Sequence, residues 1–359
     1  MYLAWKEIRY SKLRYGLIIG IMTLVAYVVF MLSGLAAGLS AGHSQAIVDW
    51  QASQFVLSED SNKIASASQL KVKDIARVDA HEKAGIGFYS SSITKKGSSD
   101  KTNVSIFGTE KNSFILPKLV SGRLYSKSNE IVVSENLTGY KIGDKVEIGD
   151  DQSFTIVGIS PKTTYSMTAV IYLNLDAFAK LKYGENAPSD EADRPINIIA
   201  LKKAAHKIST SSTDTKLEEL SSKTLIENLP GYTPEKLTLN AMIYFLFVVV
   251  TAIVGIFMYV MTLQKISIFG VLKAQGISSG TLMRSILGQA LIVSAAGSII
   301  AMLLSGLTSL VLPAAMPFSV QWPLWTVYAV VVVLVSMLGG VFSLHTITKV
   351  DPVTAIGGE

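Results

Sequence analysis

GLIIGIMTLVAYVVFMLSGLAAGL, residues 16–39, decides the fold, because it contains no Asp, Glu, Lys or Arg and exceeds the ~20 mostly apolar residues that cross a bilayer at 1.5 Å rise per residue. The uncharged stretch around it runs from Tyr15 to Val48. Its apolar core is too long for a signal-peptide h-region and no A-x-A cleavage pattern follows, so it reads as a retained anchor.

Outward from this segment, three more qualify as spans. Residues 237–263 form the second, bracketed by Lys236 and Lys265. Beyond Arg284 no Asp, Glu, Lys or Arg appears until Lys349. That stretch is long enough to cross twice, and LPAAMPFSVQWP at 312–323, with its three prolines, supplies the break between spans at 286–312 and 324–346. The composition agrees. Of 359 residues, 49% are hydrophobic and 16% charged, with a mean hydropathy of +0.41, whereas soluble domains carry about 25% charge.

Basic flanks set the expected orientation, since a charge at mid-membrane costs about 2.5–3.5 kcal/mol and cationic loops stay in the cytosol. Lys6, Arg9, Lys12 and Arg14 precede the first span; Lys265, Lys273 and Arg284 lie between the second and third; Lys349 follows the fourth. The reading is a multi-pass cell-membrane protein with both termini cytosolic. It has an interfacial amphipathic helix at 1–15, a large extracytoplasmic domain at 40–236, a cytosolic coupling loop at 264–285, an outer loop at 313–323 and a cytosolic tail at 347–359.

The fold class expected is an α-helical membrane protein with four transmembrane helices and a mixed α/β extracytoplasmic domain inserted between helices 1 and 2. Strand-like runs in the insert are FVLS (55–58), NVSIFG (103–108), EIVVSE (130–135), KVEI (145–148), FTIVGI (154–159), AVIYLNL (169–175) and INIIAL (196–201). TKLEELSSKTLIENL, 215–229, reads as a helix.

Several chemistries are excluded or weakened. The net charge of +5 is interleaved with 27 acidic residues and forms no extended basic patch, so nucleic acid is not an expected partner. Zero cysteines removes disulfides, thiolate metal sites and cysteine nucleophiles. No Walker A pattern is present, so any ATP hydrolysis belongs to another chain. The four histidines, His43, His81, His206 and His345, lack a second histidine at metal-ligand spacing, and no intrinsic metal site is expected. GxSxG at 276–280 matches the nucleophile elbow, but no strand precedes it and it lies between two spans, so no catalytic residue is assigned. Met31, Met242, Tyr244 and Tyr232 fall near the outer ends of the first two spans. Thioether and phenolate both ligate haem iron, although the same residues serve packing and interfacial anchoring.

One span, a large insert and three more spans resemble the FtsX-like or MacB-like permease family of ABC transporters. YVMTLQKISIFGVLKAQGIS (259–278) resembles its segment leading into the coupling region. GDKVEIGDDQSFTIVGI (143–159) resembles a strand pair of its extracytoplasmic core domain, and KVDPVTAIGGE (349–359) resembles its tail with a DPxxAI element. The opening residues 1–39 and the closing AIGGE are similar to haem-efflux permeases of Gram-positive bacteria within the family.

The resemblance implies a non-enzymatic permease that dimerises and recruits two copies of a cytosolic ATPase through 264–285, where Gly270, Lys273 and Gly276 match the family's loop. It also implies that ATP-driven motion is transmitted mechanically and that membrane haem is the substrate. Tyr232 and Tyr165 are the first candidate haem-binding residues, with Met31, Met242 and Tyr244 next; Lys236 meets a propionate or snorkels. The rivals are export of a peptide, lipid or antibiotic by the same motion, and FtsX-like signalling that activates a cell-wall hydrolase.

Overall fold

The computed structural model describes residues 2–149, 152–209, 215–313 and 316–348, with side chains over 6–341; the DPxxAI tail lies outside them. Its helices are α1 (Tyr2–Tyr10), α2 (Lys12–Asp49), α3 (Leu175–Tyr183), α4 (Ser222–Glu227), α5 (Tyr232–Leu263), α6 (Ile266–Ala274), α7 (Ser279–Val311) and α8 (Trp322–Thr348). The first eight strands are β1 (Gln54–Ser58), β2 (Leu70–Lys71), β3 (Val78–Asp79), β4 (Lys83–Lys95), β5 (Lys101–Thr109), β6 (Ser121–Gly122), β7 (Glu130–Ser134) and β8 (Lys145–Ile148). The rest are β9 (Gln152–Ser160), β10 (Thr164–Tyr165), β11 (Thr168–Leu173), β12 (Pro195–Ile196), β13 (Ile198–Leu201), β14 (Lys207–Ile208) and β15 (Leu217–Ser221). Two compact units result, Leu39–Glu235 and Met1–Gly38 with Lys236–Glu359.

In the Leu39–Glu235 unit, eleven strands form one mixed sheet. Six of them close on themselves: β4 pairs β5 and β8, β5 pairs β11, β11 pairs β7, β7 pairs β9, and β9 pairs β8. The β5–β11 and β7–β9 contacts are parallel and the others antiparallel. Side chains alternate between two cores. Val104, Ile106, Ile131, Val133, Ile171 and Leu173 share one, whereas Phe107, Val132, Val170 and Tyr172 share the other. Burial on both faces explains why runs such as EIVVSE are apolar throughout and do not alternate with polar residues. Over the second core lies the end of α2, and Trp50, just past its last residue, meets Phe107 with ring centroids 4.9 Å apart. Asn174 caps α3 by accepting from Ala177 N at 2.7 Å, and Phe178 of that helix lies where a Cβ on Gly87 or Gly108 would stand.

The helix expected over 215–229 is realised only at α4. Leu217–Ser221 is instead β15, antiparallel to β1 with Leu220 opposite Phe55. Leu220 is buried while its neighbours Glu219 and Ser221 are exposed. The free edge of β1 recruits the segment, and a leucine that looks like part of a helical stripe becomes the inward residue of a strand.

Among the described residues, four helices, α2, α5, α7 and α8, are long and apolar enough to cross a membrane. They pack through small residues, as helices in lipid do when no water drives them together. A Cβ on Gly297 of α7 would stand 2.8 Å from Met22 Cβ of α2, and one on Gly255 of α5 would stand 3.2 Å from the Gly339 carbonyl oxygen of α8. Exposed apolar side chains such as Leu24, Phe245, Val248, Leu303 and Leu334 cover the outer faces. The segment between α7 and α8 folds back on α2: Ser319 N donates to Gly34 O at 3.0 Å. The Phe318 ring and the Pro317 backbone fill the space that Cβ atoms on Gly34 and Gly38 would need.

Candidate functional site

Tyr232, the first residue of α5, is buried, and its hydroxyl lies 2.9 Å from Ser40 Oγ on α2. One turn further along each helix, His43 Nε2 lies 3.1 Å from Glu235 Oε2. The His43 and Tyr232 rings meet edge to face at 6.2 Å. His43 is 7% exposed, while the Glu235 side chain is 46% exposed and opens the cluster to solvent. Nδ1 of His43 has no hydrogen-bond partner among the described residues. Sequence reading assigns His43 no site, and no local pattern could link it to Glu235, which lies 192 positions away.

Tyr165 joins the same region through the tight hairpin between β10 and β11. Ser166 and Met167 at its tip have positive φ, and their N–H groups donate to the carbonyls of His43 and Gly42 at 3.0 Å each. The Tyr165 ring packs on Phe88 and Phe107, and burial pushes its phenol above the usual tyrosine range. It also lines a cavity of about 210 Å³ with Lys63, Ser90, Asn228 and Leu229. Tyr165 and Tyr232 thus belong to one core cluster.

Within the helical unit, α2 and α5 border an apolar groove of about 500 Å³ lined by Val28, Leu32, Thr238, Ala241, Met242, Phe245 and Leu246. Met242 faces it; Met31 and Tyr244 are not among its lining. Met242 and Tyr244 are two residues apart on one helix, so they point about 200° apart at 3.6 residues per turn. Tyr244 is largely exposed on the outer face, and Lys236 is exposed.

The stretch 264–285, expected from sequence to couple to an ATPase, is α6, a turn, and the start of α7. Gly270, one of the three residues that match the family's coupling loop, is buried with Phe269. The exposed apolar pair is Ile268 and Val271, and Lys273 is half-buried. Gly276 is required by the turn. Its φ is +86°, its N–H bonds Lys273 O, and Ile277 N bonds Leu272 O, the paired bonds of a Schellman cap that favours glycine. Ser278 then opens α7, so the GxSxG stretch sits in a helix–turn–helix and has no strand elbow.

Two family models divide the chain between them. Residues 15–218 match the MacB-like periplasmic core domain, and residues 240–352 match the FtsX-like permease C-terminal region. The chain belongs to the MacB- and FtsX-like family of ABC transporter permeases. It is therefore a multi-pass cell-membrane protein carrying an extracellular MacB-like domain with a mixed sheet. It is 32% identical over 365 residues to the hemin transport system permease protein HrtB of Staphylococcus haemolyticus, covering 100% of this chain and 99% of that protein. Identity to the HrtB of Staphylococcus epidermidis strain ATCC 12228 is 31% over 366 residues, with the same coverage. Among solved structures, the periplasmic region of MacB from Actinobacillus actinomycetemcomitans aligns with a TM-score of 0.33 at 14% identity, over 54% of this chain and 96% of that one.

Proposed function

We propose that the chain is the permease of an ABC exporter that takes haem laterally from the membrane and expels it outward, driven by a separate HrtA-like ATPase. The observation that carries the substrate is the full-length similarity to permeases named for hemin. The α2–α5 groove supports it, because a flat apolar macrocycle suits a slot between two apolar helices.

Both termini and the coupling segment lie in the cytosol and the MacB-like domain outside, an arrangement that rests on the cationic flanks. The permease acts as a dimer with two ATPase subunits. The α6 surface bearing Ile268 and Val271 docks them; Lys273 flanks it, Gly270 lets α6 lie close to the bundle, and Gly276 shapes its end. No Asp, Glu, Lys or Arg lies between Arg284 and Lys349, so spans three and four offer no charged relay and motion is transmitted mechanically.

For haem, Met242 in the groove supplies a thioether, and Tyr232, beside His43 and Glu235, supplies a phenol at the head of α5. Tyr165 is the second tyrosine, and its burial favours the neutral phenol. Met31 and Tyr244 are weaker candidates, being off the groove lining.

Purified permease in detergent, loaded with hemin and washed, tests this reading. A retained Soret band that weakens at least severalfold in Tyr232→Phe or Met242→Ala supports it. Absence of any band, with or without the ATPase, refutes haem and leaves a peptide, lipid or antibiotic substrate, or a signalling role.

A further inference from the structure

Glu7 is the sole Asp or Glu in residues 1–38 and 236–350. A single carboxylate among Lys6, Arg9, Lys12 and Arg14 makes little sense on a helix that only rests on a membrane surface, where basic residues attract anionic lipid and an acid opposes it. The geometry gives Glu7 another task. Its side chain is 24% exposed and turns inward from α1. One oxygen lies 3.1 Å from Lys265 Nζ at the joint between α5 and α6. The other accepts the side-chain amide of Gln289 on α7.

Gln289 is 3% exposed, and its carbonyl oxygen accepts the Tyr15 hydroxyl of α2 at 2.7 Å. A second tie runs alongside, because Arg14 of α2 donates to Gln264 Oε1 at 2.7 Å, in the two-residue joint before α6. One carboxylate therefore bonds α1 to the joint and to α7, and through Gln289 to the start of α2. Lys265 has φ −114° and ψ 10°, outside helical geometry, so the joint is a break between two helices. A displacement of α6 there is either carried onward by side-chain bonds or absorbed by the break.

We propose that Glu7 is a positioning residue that latches α1 to the α5–α6 joint and to Gln289, so that movement of the coupling helix reaches α2. The inference rests on the ABC-permease reading given above and adds a role for the N-terminal helix that membrane anchoring alone does not give it. The latch acts on coupling between two sites and not on substrate contact, so its loss separates ATP consumption from transport. Its scale is that of an ordinary coupling free energy, about 5–150-fold.

The test uses the full permease with its ATPase in lipid nanodiscs, loaded with hemin, with apomyoglobin as acceptor. Glu7→Gln and Gln289→Leu are expected to lower hemin transferred per ATP hydrolysed about tenfold, with ATPase binding unchanged. The swap Glu7→Lys with Lys265→Glu is expected to restore at least a third of the wild-type ratio, whereas Arg9→Gln leaves the ratio unchanged. A wild-type ratio in Glu7→Gln, or a swap no better than either single change, overturns the latch.

Should the wild type transfer no hemin, the substrate reading fails while the latch remains testable. With Tyr10→Cys and Ser267→Cys as spin-label sites in a chain that has no native cysteine, the latch requires one narrow α1–α6 distance through the nucleotide cycle, broadened by Glu7→Gln. An equally narrow distance in that variant refutes it.

Discussion

Gly38→Ala tests how tightly the loop between α7 and α8 holds the outer end of the first span. A methyl group there would overlap the carbonyl group of Pro317 and approach Phe318 N. Backbone cannot rotate away as a side chain can, so the loop must move. Overpacking of this kind costs about 1–3 kcal/mol. Loss of the 3.0 Å bond from Ser319 N to Gly34 O adds about 1 kcal/mol, for a total of about 2–4 kcal/mol. Gly34→Ala meets only the Phe318 ring, which can turn, and is expected to cost less. Gly20→Ala has nothing within 4 Å and is expected to stabilise the helix by about 0.5–1 kcal/mol. Thermal unfolding in detergent followed by tryptophan fluorescence reads the difference, because Trp325 lies 6.3 Å from the Phe318 ring and 5.4 Å from Trp322. Labelling of Ser319→Cys with an impermeant maleimide gives a second readout, faster in the Gly38→Ala background. Equal melting temperatures and labelling rates for Gly38→Ala and Gly20→Ala would refute the close approach.

Other outcomes follow from the extracellular domain and the cluster at the head of α5. Glu130 is gripped by both guanidinium nitrogens of Arg123 at 2.6 and 2.7 Å and accepts from Ser126 N at 2.8 Å. These bonds, Arg123 foremost, hold its carboxyl well below the usual range. A depressed folded pKa contributes stability that is complete above the unfolded value of about 4.3 and is lost as pH falls below it; Glu130→Gln should flatten that acid limb in a pH series of thermal melts. Asn197, buried, accepts from Phe88 N and donates to Ser68 O. Asn197→Ala strands both backbone groups and should cost about 2–4 kcal/mol in denaturant unfolding, whereas an unchanged midpoint would mean that those groups find other partners. Tyr232→Phe removes the bond to Ser40 but keeps the ring against His43. It should cost about 1 kcal/mol of stability while weakening the Soret band, and a melting loss without any spectral change would assign the tyrosine to structure alone.

The four apolar segments were legible from composition and length, because lipid requires about 20 consecutive apolar residues and tolerates few exceptions. The insert's strands are legible as apolar runs, and all seven quoted fall on strands. Residues 215–229 misled, since a strand at the edge of β1 and a helix can share the same leucine spacing. Nothing in the sequence signals that one core contains both Tyr165 and Tyr232. The sequence gives no local signal for the His43–Glu235 pair or for the inward turn of Glu7, because each partner is more than 190 positions away.

The amino-acid order alone settled which segments are apolar enough to enter a bilayer and where charge is absent. Tertiary structure decided which face each residue presents. It set Met242 toward the groove and Tyr244 away from it, buried Gly270 while exposing Ile268, and brought a lone carboxylate to the junction of three helices. The reason is physical. Hydropathy is a local sum over neighbours in the chain, whereas facing and pairing depend on helix rotation and on contacts between residues that the sequence keeps far apart.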